Sequence, residues 1–369
     1  METYDVGSLP FTGDWERFLG GAKPTDQLLS LLYPSKFEEE QGYFDEKVVE
    51  GFTHKVQAGI DIPNYPQFRD MNQMFLDALT GIEKTPKGLV ETGRIVVRPQ
   101  AAEISEVSAL RRHAKEIVEK TGAPLRLKVC VTGPYTLAAT FAERRAETFG
   151  NLAEAMVKVV EANVFKGKYG GVELVFVDEP TFGLFDDPLL DFGQEGRESL
   201  LHAWEHVLEV MKAKNVHTGF HLHSTRDELF WDVRPVEILE SHVEDPLYES
   251  PKAKERLERT DKFIKASITV TDFDALIRKR FAQGVERVDE SVLSEKVGEA
   301  WNGMRKGIVN PLEFLEDIEQ MRRRLRAIVS RFGEERVPYA GPECALRSFP
   351  TYQSALELLR RVSQAAHFL

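Results

Sequence analysis

Two histidines one residue apart, His221 and His223, stand near the end of an apolar run that begins at Val216. A strand points successive side chains to opposite faces, so both imidazoles would share one face while Phe220 and Leu222 take the other. Two imidazoles on one face are half of a metal site. The same residues could also be one satisfied core histidine beside a surface histidine, and His217 on the same stretch suggests that the region can carry histidine without chemistry. Two distant residues of ligating type, Glu240 and Cys344, raise the metal reading. Further candidates for chemistry are Ser8, Tyr65 and the pair Asp178-Glu179, which closes the run 172–177.

These residues need elements to position them. The run 172–177, Val-Glu-Leu-Val-Phe-Val, is nearly continuous and rich in β-branched residues, as a parallel strand covered on both faces requires. Other strand candidates are 124–131, 216–223, 236–241, 263–270 and 337–340, with a short one at 59–62 before the prolines at 63 and 66. The spacing of Val48, Val49, Phe52 and Val56 predicts a helix over 44–58 stopped by Gly59. Helical patterns also cover 15–32, 67–79, 105–120, 137–165 with a break near 150–151, 197–212, 272–281, 310–332 and 353–368. Arg94 to Val97 reads as one more strand, and Cys130 as a small buried hydrophobe within 124–131.

Strand, loop and helix alternate about eight times with no domain break. The expected fold is therefore a (β/α)8 TIM barrel spanning 1–369 as a single domain with extra helices. A doubly wound open sheet is the runner-up, but no Gly-x-Gly-x-x-Gly follows the first strand. Ser8, Tyr65, Asp178, Glu179, His221, His223, Glu240 and Cys344 all fall at or just after a strand's C-terminal end, which in a barrel is the catalytic face.

Composition narrows the partners. Among 369 residues, 60 acidic against 48 basic side chains leave a net charge of −12, with no basic surplus to neutralise the phosphates of a nucleic acid. Arg322-Arg323-Arg324 reads as the solvated side of a helix. No stretch has the apolar length to cross a bilayer, and the first residues have neither the basic start nor the apolar middle of a signal peptide. Two cysteines make no disulfide framework, so a cytoplasmic protein is expected.

With those residues in hand, the chain resembles the catalytic C-terminal barrel of cobalamin-independent methionine synthase, over its whole length and in order. Gly7-Ser8-Leu9-Pro10, Arg69-Asp70-Met71 with Phe75, Thr132-Gly133-Pro134, Val177-Asp178-Glu179-Pro180, His221-Leu222-His223-Ser224 and Pro342-Glu343-Cys344 are similar to that family's loop motifs. Each is weak alone; six in the right order are specific. The resemblance implies zinc-dependent transfer of a methyl group to a thiol, usually homocysteine. It implies His221, Glu240 and Cys344 as zinc ligands, and Val6 (through its backbone), Ser8 and Asp178 as the holders of the amino-acid part of the thiol. Asp178 would orient the substrate, and Glu179 would brace its loop or a histidine.

Two positions depart from the family pattern. His223 stands where the family has a cysteine; if it ligates, the site discriminates less sharply against iron or cobalt, with zinc still the expected metal. Tyr65 stands where the family has a glutamate that pairs with the substrate ammonium; it is expected to bind the substrate by a hydrogen bond instead, which leaves Asp178 as the main counter-charge and admits a thiol without an amine. The length matches the short, single-barrel forms, whose methyl donor need not be a folate; a methylated corrinoid, perhaps on a carrier protein, is expected. Rival readings are a thiol methyltransferase serving coenzyme M, a non-catalytic corrinoid- or metal-binding partner, and a uroporphyrinogen decarboxylase-like barrel. The last would want arginines near the first loop, and 6–10 has none.

Overall fold

The computed structural model describes residues 1–22, 34–282 and 289–368. Its frame is a parallel sheet curled into a barrel. The strands are β1 (Glu2–Thr3), β4 (Leu125–Thr132), β6 (Gly170–Glu179), β7 (His217–Leu222), β8 (Ile238–Glu240), β9 (Phe263–Thr269) and β10 (Tyr339–Pro342). They pair in the order β1-β10-β9-β8-β7-β6-β4, all parallel, and the short β5 (Lys166–Gly167) folds back antiparallel on β6.

Residues 60–65 close the seam between β4 and β1. Ile62 N donates to Thr3 O at 3.0 Å on one side, and Lys128 N to Pro63 O at 2.9 Å on the other. Pro63 and Pro66 lack a donor, so this eighth wall segment cannot form a full ladder. A buried charge cluster does the joining instead. Asp5 Oδ1 accepts from Asn64 N at 2.8 Å, and Lys55 Nζ reaches Asp5 Oδ2 at 2.6 Å, Gly7 O at 2.5 Å and Asn64 O at 3.0 Å. Lys55 arrives from the helix Pro34–Gln57, which packs on the outside of the seam.

Barrel strands look inward with every second residue, so register decides which side chains meet. Thr132, Asp178, His221 and Glu240 are lateral neighbours across β4, β6, β7 and β8. They form one tier at the C-terminal rim.

Several elements differ from the sequence expectation. The helix expected over 67–79 is one turn, Gln73–Leu76, because Asp70 Oδ1 takes the amides of Asn72 and Gln73 and starts it late. Beyond it a hairpin, β2 (Leu79–Thr85) with β3 (Gly88–Val97), docks on Thr140 and Ala142; only its last four residues read as strand in the sequence. The helix expected over 105–120 is two, Ser105–Arg112 and Ala114–Thr121, parted at His113. Conversely, Ala146–Asn163 runs unbroken through Gly150-Asn151. Asn310 caps only a short turn, Pro311–Glu313, and Asp317 caps the helix that follows, Ile318–Phe332. A helix Glu290–Arg305 had no counterpart in the sequence reading. Of the helix expected over 15–32, Trp15–Ala22 is present, and 23–32 lie outside the described residues. No helix among the described residues is long and apolar enough to cross a membrane.

Removing one member of the seam cluster leaves the other as a buried, uncompensated charge. Lys55→Ala is expected to cost roughly 3–5 kcal/mol, read as a lower urea midpoint. A loss under about 1 kcal/mol would show that the seam does not depend on the pair.

Candidate metal centre

β7 delivers His221 as its last inward residue and stops at Leu222, so the alternation that placed His223 beside it covers only the first of the two. His223 comes from the loop that follows, yet both imidazoles converge with His242 and Cys344. The ligating atoms of these four side chains all lie within 4.8 Å of one another. Cys344 Sγ is 3.7 Å from His221 Nε2 and 3.4 Å from His223 Nε2, and the rings of His223 and His242 are 4.1 Å apart. In a tetrahedral zinc site, bond lengths of about 2.0–2.3 Å put neighbouring ligand atoms roughly 3.3–3.8 Å apart.

His242 was missed in the sequence. It lies two residues beyond Glu240, the same spacing that drew notice to His221 and His223. Its Nε2 is buried and has no hydrogen-bond partner among the described residues. A buried nitrogen left bare beside two other imidazoles and a thiol fits a metal ligand.

Glu240 stands behind this group rather than in it. Its Oε1 lies 2.9 Å from His221 Nδ1, and Lys265 Nζ lies 2.7 Å from its Oε2. Lys128 Nζ is 3.7 Å from Oε1. Burial alone would raise this carboxyl, but Lys265, Lys128 and the His221 hydrogen bond together hold it well below the usual range. An anionic carboxylate only accepts, so Nδ1 of His221 carries the proton and Nε2 presents its lone pair toward Cys344.

Burial lowers the histidines, His221 to about 4, against the pull of Glu240, and His223 to about 2. His242 is lowered too, again by burial first. Cys344 is pushed the other way, to about 12, by burial foremost. Near pH 7 the pocket therefore offers three neutral imidazoles and a protonated thiol.

Two buried carboxylates brace the loops. Glu343 accepts from Val243 N and Thr271 N, each at 2.8 Å, so it ties the Cys344 loop to the His242 loop. Glu179 accepts from Tyr135 N, Thr136 N and Trp204 Nε1 at 2.9, 2.7 and 2.7 Å, the loop-bracing role expected of it. A Cβ at Gly133 would fall 2.1 Å from Glu179 Oε1, so that brace needs the glycine.

Among the expected substrate contacts, Asp178 is buried beside His221, and its Oδ1 has no partner among the described residues. Burial raises it to about 7, with Lys128 drawing it down and Glu240 pushing it up. Val6 and Ser8 are buried, and Ser8 O accepts from Leu346 N at 3.0 Å, beside the Cys344 loop. Tyr65 is spent internally: its hydroxyl donates to Cys130 O at 3.0 Å and accepts from Gln67 Nε2 at 3.1 Å. His217 pairs at the surface with Glu237 at 2.8 Å, outside the group.

No protein-family model matches the chain, and no curated protein matches it in sequence. Solved structures do match it in shape. A B12-independent methionine synthase from Shewanella sp. W3-18-1, in complex with selenomethionine, superposes with a TM-score of 0.58 at 16% identity, covering 99% of this chain and 96% of that one. A Listeria monocytogenes protein, provisionally named a vitamin-B12 independent methionine synthase, gives 0.57 at 14%, covering 100% and 98%. The fold is that of the B12-independent methionine synthases. Methionine-synthase-like barrels thus supply the frame in which this histidine–cysteine group sits at the C-terminal rim.

The charge states set a test. Binding one zinc ion between pH 7 and 8 is expected to release about one proton, from Cys344, because the histidines are already neutral. Affinity should then rise about tenfold per pH unit there. Calorimetry in buffers of different ionisation heat counts the proton; a count near zero would remove Cys344 from the ligand set.

Proposed function

We propose that this protein is a metal-dependent methyltransferase acting on a thiol. The reading is carried by the convergence of His221, His223, His242 and Cys344, with the bare Nε2 of His242 among them. Zinc is the proposed ion, because a compact set of imidazoles and one thiol suits it; iron and cobalt are the alternatives. When bound, zinc lowers the pKa of a substrate thiol so that it reacts as a thiolate near neutral pH.

The chain's own residues do the rest. Asp178, buried and with one oxygen unpartnered, is the proposed seat of the substrate's ammonium group, whose charge would favour its ionised form. Glu240 orients His221, and Glu343 sets His242 and Cys344 relative to each other. The reaction balances as a displacement: the thiol gives up its proton to solvent, and its sulfur pair forms the new S–CH3 bond. The electron pair of the broken bond stays with the donor.

Homocysteine, giving methionine, is the proposed acceptor. In support, the Shewanella structure holds selenomethionine, the selenium counterpart of that product. The proposed donor is a methylated corrinoid, brought by a carrier protein, in line with the single-barrel forms the chain resembles.

The test is methyl transfer from methylcobalamin with zinc-loaded protein. Wild type should yield methionine from homocysteine, and Cys344→Ala should lose at least about a hundredfold in rate. Asp178→Asn should raise KM for homocysteine while leaving that for 2-mercaptoethanesulfonate, which has no amine, unchanged. Zinc-loaded wild type that methylates neither thiol would overturn the proposal.

A further inference from the structure

We propose that Glu240 is a positioning residue, held off the metal by Lys265 and Lys128 and fixed on Nδ1 of His221, and that His242 takes the ligand place Glu240 vacates, a role that rests on the metal reading above. Both carboxylate oxygens already face charge or a donor: Oε1 is hydrogen-bonded, and Oε2 is held by an ion pair that is not aligned as a hydrogen bond. Oε1 takes His221 Nδ1 at 2.9 Å with Lys128 Nζ at 3.7 Å, and Oε2 faces Lys265 Nζ at 2.7 Å.

Neither lysine can follow the carboxylate if it turns away. Lys265 Nζ also donates to Pro342 O at 2.7 Å, two residues before Cys344. Lys128 Nζ donates to Asp5 O at 3.2 Å and sits 4.3 Å over the Phe176 ring and 4.9 Å over that of Tyr4. Both side chains are fully buried. A Glu240 turned to the metal would leave two buried cations without their counter-ion and His221 without its acceptor, an arrangement costlier than exchanging one ligand for an imidazole. That imidazole is present: Nε2 of His242 lies within the group and bonds to nothing else among the described residues.

Carboxylate–histidine–metal chains fix the ring and its tautomer, and losing the outer carboxylate commonly weakens metal binding about 10–100-fold without abolishing it. Zinc affinity by chelator competition, with Co(II) absorption spectra, should be compared across full-length wild type, Glu240→Gln, Glu240→Ala and His242→Ala. The glutamine can still accept from Nδ1, so affinity should fall in the order wild type, Gln, Ala. Both Glu240 variants should keep about one metal per chain and the wild-type Co(II) band positions, while His242→Ala shifts the ligand-field bands and binds more weakly than either.

The proposal is overturned if Glu240→Ala loses the metal as fully as Cys344→Ala while His242→Ala keeps wild-type affinity and spectrum. Because Glu240→Ala strands two buried cations, the double variant Lys265→Met with Glu240→Gln provides the folded control. It should match Glu240→Gln in spectrum, and a spectrum that loses its cobalt bands would overturn the proposal. Wild-type protein that takes up neither zinc nor cobalt is a separate result, which removes the metal reading itself.

Discussion

A carboxylate held out of water between two ammonium groups is the interaction on which the inside of this barrel depends. Glu240 is fully buried, and so are Lys128 and Lys265. Taking three charges from water carries a large desolvation penalty, which close pairing and satisfied hydrogen bonds must offset. The walls are built accordingly. Tyr4 and Phe176 set their rings under the ammonium of Lys128, with 5.2 Å between ring centroids. Phe176 has room only because β7 carries Gly219 opposite it, where a Cβ would stand 2.3 Å from the ring. The charged floor in turn fixes His221, the innermost member of the group above it.

The rim repeats the device at lower charge. Glu179 and Glu343 each turn inward and gather backbone amides from neighbouring loops. Loops over a barrel mouth carry unpaired amides that need acceptors, and one buried carboxylate satisfies two while holding the loops in register. His242 and Cys344 come from different βα connections, so Glu343 can join them only after β8, β9 and β10 are aligned. The histidine–cysteine group is thus assembled by the sheet, not by any one loop.

Strand residues were the most legible. The runs at 172–177 and 263–270 declare themselves by apolar, β-branched composition and the end of β7 by its alternation of Phe220 and Leu222 with His221, and they place Asp178 and His221 at the rim before any coordinates are known. Lys128 and Lys265 are legible too: a lysine inside an otherwise apolar strand reports a polar barrel interior. His242 was equally visible, since its spacing from Glu240 matches that of His223 from His221. Helix limits were less legible at 67–79 and 310–332, where Asp70 and Asp317 bind nearby amides and move the start. Apolar spacing cannot register such a competition between side chain and backbone.

What the sequence determined by itself is the alternation of strand and helix, hence the barrel, and the gathering of reactive side chains at strand ends. Both follow from local periodicity and from the one-sided geometry of βα units. Which of those side chains meet was decided only in three dimensions. Glu240 has the chemistry of a ligand, yet two lysines from strands β4 and β9, distant in sequence, claim its charge. His242 has an ordinary place in a loop, yet its ring comes to rest against His223 with its nitrogen bare. Electrostatic pairing in a low-dielectric interior depends on distances between remote strands, and those distances exist only once the barrel has closed.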